Sequence, residues 1–212
     1  GQDELVFDGG SFVVNDLGEI IYQASSFKEE VFHLDIDLKT NKQNDKSPLI
    51  IRPKTIELKD VESKASLSKN ESIYSALKLG LKDYVRKNKF TKVLIGISGG
   101  IDSALTAAIC VDALGAENVI GVAMPSKYNS KDSLDDAIKL SDNLGITLKT
   151  IEIEKLVDDF RETLTNSLNE DLGQITDENI QSRVRGNILM GLSNQTGAMV
   201  VSTGNKSEMA VG

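Results

Sequence analysis

Ser98-Gly99-Gly100-Ile101-Asp102-Ser103 combines two hydroxyls, two glycines and a carboxylate within six residues. Those types at that spacing suit polyphosphate binding. Glycines let a phosphate approach the backbone where a Cβ would intrude, and serine hydroxyls can donate to phosphate oxygens. Asp102 is the exception, because a carboxylate beside phosphates repels them unless a cation lies between. We therefore assign it to Mg²⁺, which takes oxygen ligands from one or two carboxylates plus phosphates. The stretch follows the apolar run Val93-Leu94-Ile95-Gly96-Ile97 and precedes Ala104-Leu105-Thr106-Ala107-Ala108-Ile109. The first reads as a buried strand and the second as a helix. A strand, a glycine turn and a helix N-terminus together present free N–H groups and the positive end of a helix dipole to an anion. A glycine turn that binds nothing is the competing reading.

Two more stretches carry polar chemistry. Thr203-Gly204-Asn205-Lys206-Ser207-Glu208 offers a hydroxyl in Thr203, a point charge in Lys206 and a second Mg²⁺ carboxylate in Glu208; an ordinary turn with a helix cap is the alternative. Asn179, Arg183 and Gly186, at i, i+4 and i+7, share one helix face, where a flat polar ligand or solvent could lie. Arg185 falls among the solvated residues. Met124-Pro125-Ser126 ends a strand, and Met124 could supply soft apolar contact to adenine.

The elements that must position these residues alternate. Strands are expected at 93–97, 119–124, 146–153 and 198–202. Helices are expected from 68 (a Ser68–Glu71 capping box, with Ile73, Leu77, Leu81 and Tyr84/Val85 on its apolar face), from 101 to Gly115, from about 130 to 144, from about 156, and over about 177–193. Alternation of this kind means an α/β fold with a doubly wound parallel sheet, whose ligands bind beyond the carboxyl ends of the strands. Ser98–Ser103, Pro125–Tyr128 and Thr203–Glu208 should meet there.

Residues 1–38 read instead as short strands at Leu5–Phe7, Ser11–Val14, Glu19–Tyr22 and Val31–Ile36, joined by turns. His33, the only histidine, is expected on a strand face and Asp35 and Asp37 at a solvated strand end. Residues 39–67 are a linker by composition, with Leu49–Pro53 as an extended arm. Cys110, the only cysteine, belongs to an apolar helix and reads as structural.

The 212 residues are 40% hydrophobic and 26% charged, a composition able to bury a core. The net charge of −8 argues against nucleic acid as the main partner. One cysteine fits a reducing compartment, and a cytoplasmic location is expected. No apolar run approaches the length of a membrane span, and no signal-peptide pattern opens the chain. A chain that begins without Met and stops just after a strand reads as a fragment.

Ser98–Ser103 resembles the Ser-Gly-Gly-x-Asp-Ser loop of the ATP pyrophosphatase (PP-loop) family. With Met124-Pro125-Ser126-Lys127-Tyr128, Glu178-Asn179-Ile180-Gln181-Ser182-Arg183-Val184-Arg185-Gly186 and Thr203–Glu208, the order is similar to that of the glutamine-dependent NAD synthetases within it. Residues 1–38 resemble the last strands of a nitrilase-like glutaminase domain, and 68–212 the synthetase domain. By that resemblance Gly96, Ile97, Ser98, Gly99, Gly100, Ile101, Asp102, Ser103, Met124 and Thr203 would bind ATP. Asn179, Arg183 and Glu208 would hold deamido-NAD, and Asp102 and Glu208 would serve Mg²⁺. The implied reaction is ATP-dependent amidation of deamido-NAD through an adenylated intermediate, with ammonia from glutamine, and the family commonly forms homo-oligomers. No side chain is assigned as a general acid or base. The family's glutaminase Cys–Lys–Glu triad lies upstream of anything here, and Cys110 cannot replace that nucleophile. The family also continues beyond Gly212, so this chain alone is expected to be inactive or nearly so.

Overall fold

The computed structural model describes residues 5–15, 17–34, 66–127 and 131–211. The chain divides into two compact units, Phe7–Ala76 and Leu77–Gly212 with Gly1–Val6.

In the smaller unit, β1 (Phe12–Val14) pairs antiparallel with β2 (Ile20–Gln23). Asn15 turns the chain between them: its Oδ1 accepts from the N–H groups of Leu17 (3.0 Å) and Glu19 (2.9 Å), the local bonding that makes asparagine a turn residue. Tyr22 is buried and its ring meets that of Phe32 at 4.3 Å. Of the four expected strands, only these two form among the described residues. Leu5–Phe7 and the described part of Val31–Ile36 lie outside any strand, because β-propensity makes a strand only where a partner completes the ladder. His33 is accordingly exposed and off any strand. Asp35, Asp37 and the arm Leu49–Pro53 lie outside the described residues.

The larger unit is built on four parallel strands in the order β5-β4-β3-β6: β3 (Val93–Gly96), β4 (Val119–Ala123), β5 (Thr147–Thr150) and β6 (Met199–Val201). Helix α1 (Lys69–Lys87) leads into β3, and the capping box at its start forms: Ser68 N–H donates to Glu71 Oε2 (2.9 Å) and Glu71 N–H to Ser68 Oγ (3.4 Å). Only the later part of its apolar stripe is used. Leu81 and Val85 pack into the core, whereas Ile73, Leu77 and Tyr84 stay about half exposed.

Helices cover both faces of the sheet, as a doubly wound fold requires. On one face, α2 (Ile101–Leu114) and α3 (Lys131–Leu144) join α1 around Val93, Ile95, Ile97, Cys110 and Ala137. Cys110 is fully buried there, and burial pushes its thiol up to about 11, which keeps it protonated and inert. Gly115 ends α2 with φ +89°. On the other face Leu94, Val122 and Ala198 meet Leu189 and Leu192 of α5 (Gln174–Thr196). Helix α4 (Glu154–Leu168) packs on α5 through Ile153, Val157, Ile180 and Val184. A 3₁₀ turn (Ala116–Asn118) and the terminal helix α6 (Lys206–Val211) complete the elements.

The four strands expected over residues 92–212 are all present, but shorter. β5 stops at Thr150 although the apolar alternation runs to Ile153. Beyond it Ile151 N–H still donates to Ala123 O at the end of β4 (2.9 Å) and Ile153 N–H to Pro125 O in the following loop (3.2 Å), but Pro125 has no N–H to return a ladder bond. Helix α5 is longer than its expected bounds, since Gly173 and not Asp177 caps it.

Candidate functional site

Strand β3 feeds directly into the glycine loop. Ile97 N–H still bonds Val122 O (2.9 Å), so the loop leaves the sheet in register with β4. Ile97 rests over Gly121, where a Cβ would come within 2.7 Å of Ile97 Cδ1. The turn is then braced by its own serines. Ser103 is buried; its hydroxyl donates to Gly100 O (2.9 Å) and accepts from Ser98 N–H (3.3 Å). Ser98 Oγ accepts from Gly100 N–H (3.2 Å) and lies 3.3 Å from Ser103 Oγ. Ser103 therefore shapes the loop, while the exposed Ser98 stands at its mouth. Gly99 takes φ +84°, and a Cβ there would lie 2.4 Å from Ser133 O on α3. The glycine is demanded by backbone conformation and by the helix resting on it.

A cavity of about 530 Å³ opens beside this loop at the carboxyl ends of the strands. The loop side is Gly96, Ile97 and Ser98, and Thr203 after β6 stands next to them. Ala123 at the end of β4 and Met124 and Pro125 after it, with Leu134 and Ala137 of α3, give an apolar part. Helix α5 contributes Ser182, Arg185, Gly186 and Leu189. The strand order reverses between β3 and β6, and that switch point is where ligands of such sheets bind. An apolar slot continuous with a glycine loop fits a purine base joined to phosphates.

The expected residues do not all converge. Gly96, Ile97, Ser98, Met124 and Thr203 line the cavity, and so does Gly186, above which a Cβ would meet nothing within 4 Å. Asn179 and Arg183 are instead exposed on an adjoining face of α5, where Arg183 Nη1 donates to Asn179 Oδ1 (2.9 Å). Arg185, read from sequence as solvated, is the side chain that turns inward. Its Nε donates to Met124 O (3.4 Å), and desolvation by burial lowers its pKa from the usual arginine value. Periodicity defines a face three residues wide but not which edge of it meets the sheet. Helical spacing of Ser182, Arg185, Gly186 and Leu189 was the available signal.

Sequence reasoning also missed the braces around the cavity. Lys127 ends the segment after β4, and its backbone N–H and Nζ both reach Glu154 at the start of α4 (3.0 and 2.7 Å). Arg161 of α4 bonds Glu154 (3.3 Å) and Asp158 (2.6 Å), and pairs through Nε and Nη2 with both carboxylate oxygens of Asp177 in the first turn of α5. The Lys127 backbone N–H, then its ammonium, hold Glu154 below the usual carboxylate range; the Arg161 guanidinium does the same for Asp177. Loop, α4 and α5 are thus tied into one frame.

After β6, Asn205 and Glu208 form a reciprocal cap at the start of α6. Asn205 N–H donates to Glu208 Oε2 and Glu208 N–H to Asn205 Oδ1, both at 3.0 Å. The helix cap that was the alternative for this stretch is therefore present. Asn205 Nδ2 also donates to Asp102 Oδ2 (3.3 Å), joining the start of α6 to the first turn of α2 after the glycine loop. Asp102 and Glu208 are both exposed hard oxygen donors, and no set of three or more metal-ligating side chains occurs among the described residues. A pair of carboxylates that leaves the other positions to phosphate oxygens and water is the donor set Mg²⁺ takes with a nucleotide. The residues fit that ion.

Fold and site together define a doubly wound α/β domain with a glycine loop and a cavity at the switch point of its sheet. The sequence profile described as NAD synthase matches residues 73–212. A glutamine-dependent NAD(+) synthetase from Thermotoga maritima is 45% identical over 229 residues, taking in 100% of this chain and 40% of that protein. The solved glutamine-dependent NAD+ synthetase from Acinetobacter baumannii, in complex with adenosine diphosphate, superposes with a TM-score of 0.86 at 44% identity, covering 100% of this chain and 37% of that one. The NH3-dependent NAD synthetase from Campylobacter jejuni gives 0.61 at 31% identity, over 68% of this chain and 60% of that one. The chain belongs to the NAD synthase family. It spans about 40% of the length of the Thermotoga maritima relative. No described helix is long and apolar enough to cross a membrane.

Proposed function

We propose that this chain carries the ATP-using, amide-forming part of a glutamine-dependent NAD(+) synthetase. The observation that carries the reading is the continuity of the glycine loop with the cavity at the switch point, in a chain of the NAD synthase family. ATP would lie with its phosphates on Gly96–Ser103, Thr203 beside them and its base toward Met124. Deamido-NAD would lie along α5, with Asn179, Arg183 and Glu208 at its far side. A carboxylate oxygen of deamido-NAD attacks the α-phosphorus of ATP and the bond to the bridging oxygen breaks, releasing pyrophosphate. Ammonia then attacks the activated carbonyl carbon, the C–O bond to AMP breaks, and the proton lost by nitrogen passes to solvent. Loop N–H groups stabilise charge on the departing pyrophosphate. Mg²⁺, held by Asp102 and Glu208, would neutralise charge on the phosphate oxygens. A carboxylate nucleophile needs no general base.

Coverage supports the glutamine-dependent branch. The NAD synthase profile begins at residue 73 and the ammonia-dependent structure covers 68% of the chain, whereas the glutamine-dependent synthetases from Thermotoga maritima and Acinetobacter baumannii match all of it. Residues 1–38 then belong with the nitrilase-like domain that frees ammonia from glutamine, in a cytoplasmic homo-oligomer. The test supplies the intact protein with ATP, Mg²⁺ and deamido-NAD, with either glutamine or ammonium. AMP and NAD rising together from both nitrogen sources is the expected result. NAD from ammonium alone removes the glutaminase assignment only. Folded protein giving neither product from either source overturns the synthetase reading.

A further inference from the structure

The phosphate loop and the terminal helix are joined through one side chain. Asn205 Nδ2 donates to Asp102 Oδ2 (3.3 Å), linking residues 103 apart in sequence. The same side chain's Oδ1 accepts from Glu208 N–H, and its backbone N–H donates to Glu208 Oε2, each at 3.0 Å. We infer that Asn205 is a positioning residue, whose amide orients the Asp102 carboxylate toward a divalent cation shared with nucleotide phosphates while its main chain holds Glu208 at the same rim. The inference rests on the proposed synthetase reading.

The chemistry asks for an amide here. Asp102 is exposed on the first turn of α2 and would otherwise be free to rotate. A donor fixed on one carboxylate oxygen restricts the rotation of the group and leaves the other oxygen for a cation, which is how partners behind a metal ligand set its orientation. The donor must also cap α6, which needs an acceptor on the same side chain. Asparagine supplies both at once. Aspartate would cap equally well but would place an acceptor against Asp102.

Capping and orienting are separable. Asn205→Ser keeps the cap in a Ser-x-x-Glu box with Glu208 but is too short to reach Asp102; Asn205→Ala loses both. In the intact protein, Mn²⁺ binding in the presence of a non-hydrolysable ATP analogue is read by electron paramagnetic resonance, alongside the melting temperature. The serine variant is expected to melt close to the wild type while its Mn²⁺ affinity falls roughly 10-fold. The alanine variant should lose affinity equally and melt lower. Wild-type Mn²⁺ affinity in the serine variant would overturn the inference and leave Asn205 as a helix cap, with the synthetase reading untouched. Absence of analogue-dependent Mn²⁺ binding in the wild type would overturn the inference and the metal assignment beneath it.

Discussion

Gly99 shows why single residue types matter in this loop. Its φ of +84° lies in the region favourable to glycine, and the nearest obstacle to a Cβ is the Ser133 carbonyl at 2.4 Å, backbone that can move only with α3. Gly99→Ala should therefore cost about 2–4 kcal/mol from strain and clash together, read as a lower melting temperature. ATP affinity should fall as well, because relief of the clash displaces either the loop or the helix lining the cavity. Unchanged ATP binding in this variant would mean that the loop's shape is not what holds the nucleotide. Gly100, with φ −87° as the N-cap of α2, carries no such conformational demand, though the two glycines are indistinguishable in sequence. Ser98 and Ser103 divide in the same way: one hydroxyl is at the mouth and the other is buried in the brace. Asp102 and Glu208 could be singled out from sequence because a carboxylate beside a loop suited to phosphates is chemically unusual. Asn205 was not, because its importance lies in a partner 103 residues away.

Among the elements, the Lys127–Glu154–Arg161–Asp177 frame sets the spacing of the segment after β4, α4 and α5. Arg161 is 19% exposed and faces three carboxylates, so its removal leaves charge repulsion in a half-buried site. Arg161→Met should destabilise the larger unit by about 2 kcal/mol at pH 7, measured as a lower urea midpoint. The sign of its pH dependence follows from the lowered pKa values of Glu154 and Asp177. Carboxyls with depressed folded pKa values contribute stability above their unfolded values near 4, and that contribution is lost as pH falls through the folded values. The wild-type and Arg161→Met midpoints should thus converge as pH drops from about 5 to 3. A gap independent of pH would assign the loss to packing of the arginine stem instead. Helical periodicity located α4 and α5 in the sequence, but it could not show that Arg161 faces Asp177 on a neighbouring helix. Nor could it tell that Arg185, and not Arg183, turns toward the cavity.

At the scale of the molecule, the smaller unit and the parallel sheet correspond to different shares of the family likeness, since the NAD synthase profile starts at residue 73. Removing everything before residue 68 from the intact protein should abolish glutamine-driven NAD formation. ATP binding and ammonium-driven NAD formation should persist within about tenfold; loss of ATP binding in a folded product would show that the two parts do not work separately. What the sequence determined by itself was the order of strands and helices over residues 68–202, the sheet's parallel class, and the glycine loop between β3 and α2. Each of these follows from local pattern: apolar runs, helical periodicity and glycine spacing. Tertiary structure decided the rest. Strand length depended on whether a neighbour could complete the ladder, as Pro125 cannot. The cavity wall depended on which edge of α5 the sheet accepts, and the coupling of Asp102 to Asn205 on β3 and β6 being adjacent in space. Sequence spacing describes the face a residue shares within its own element; its partners in other elements exist only once burial of the two faces of the sheet has fixed their packing.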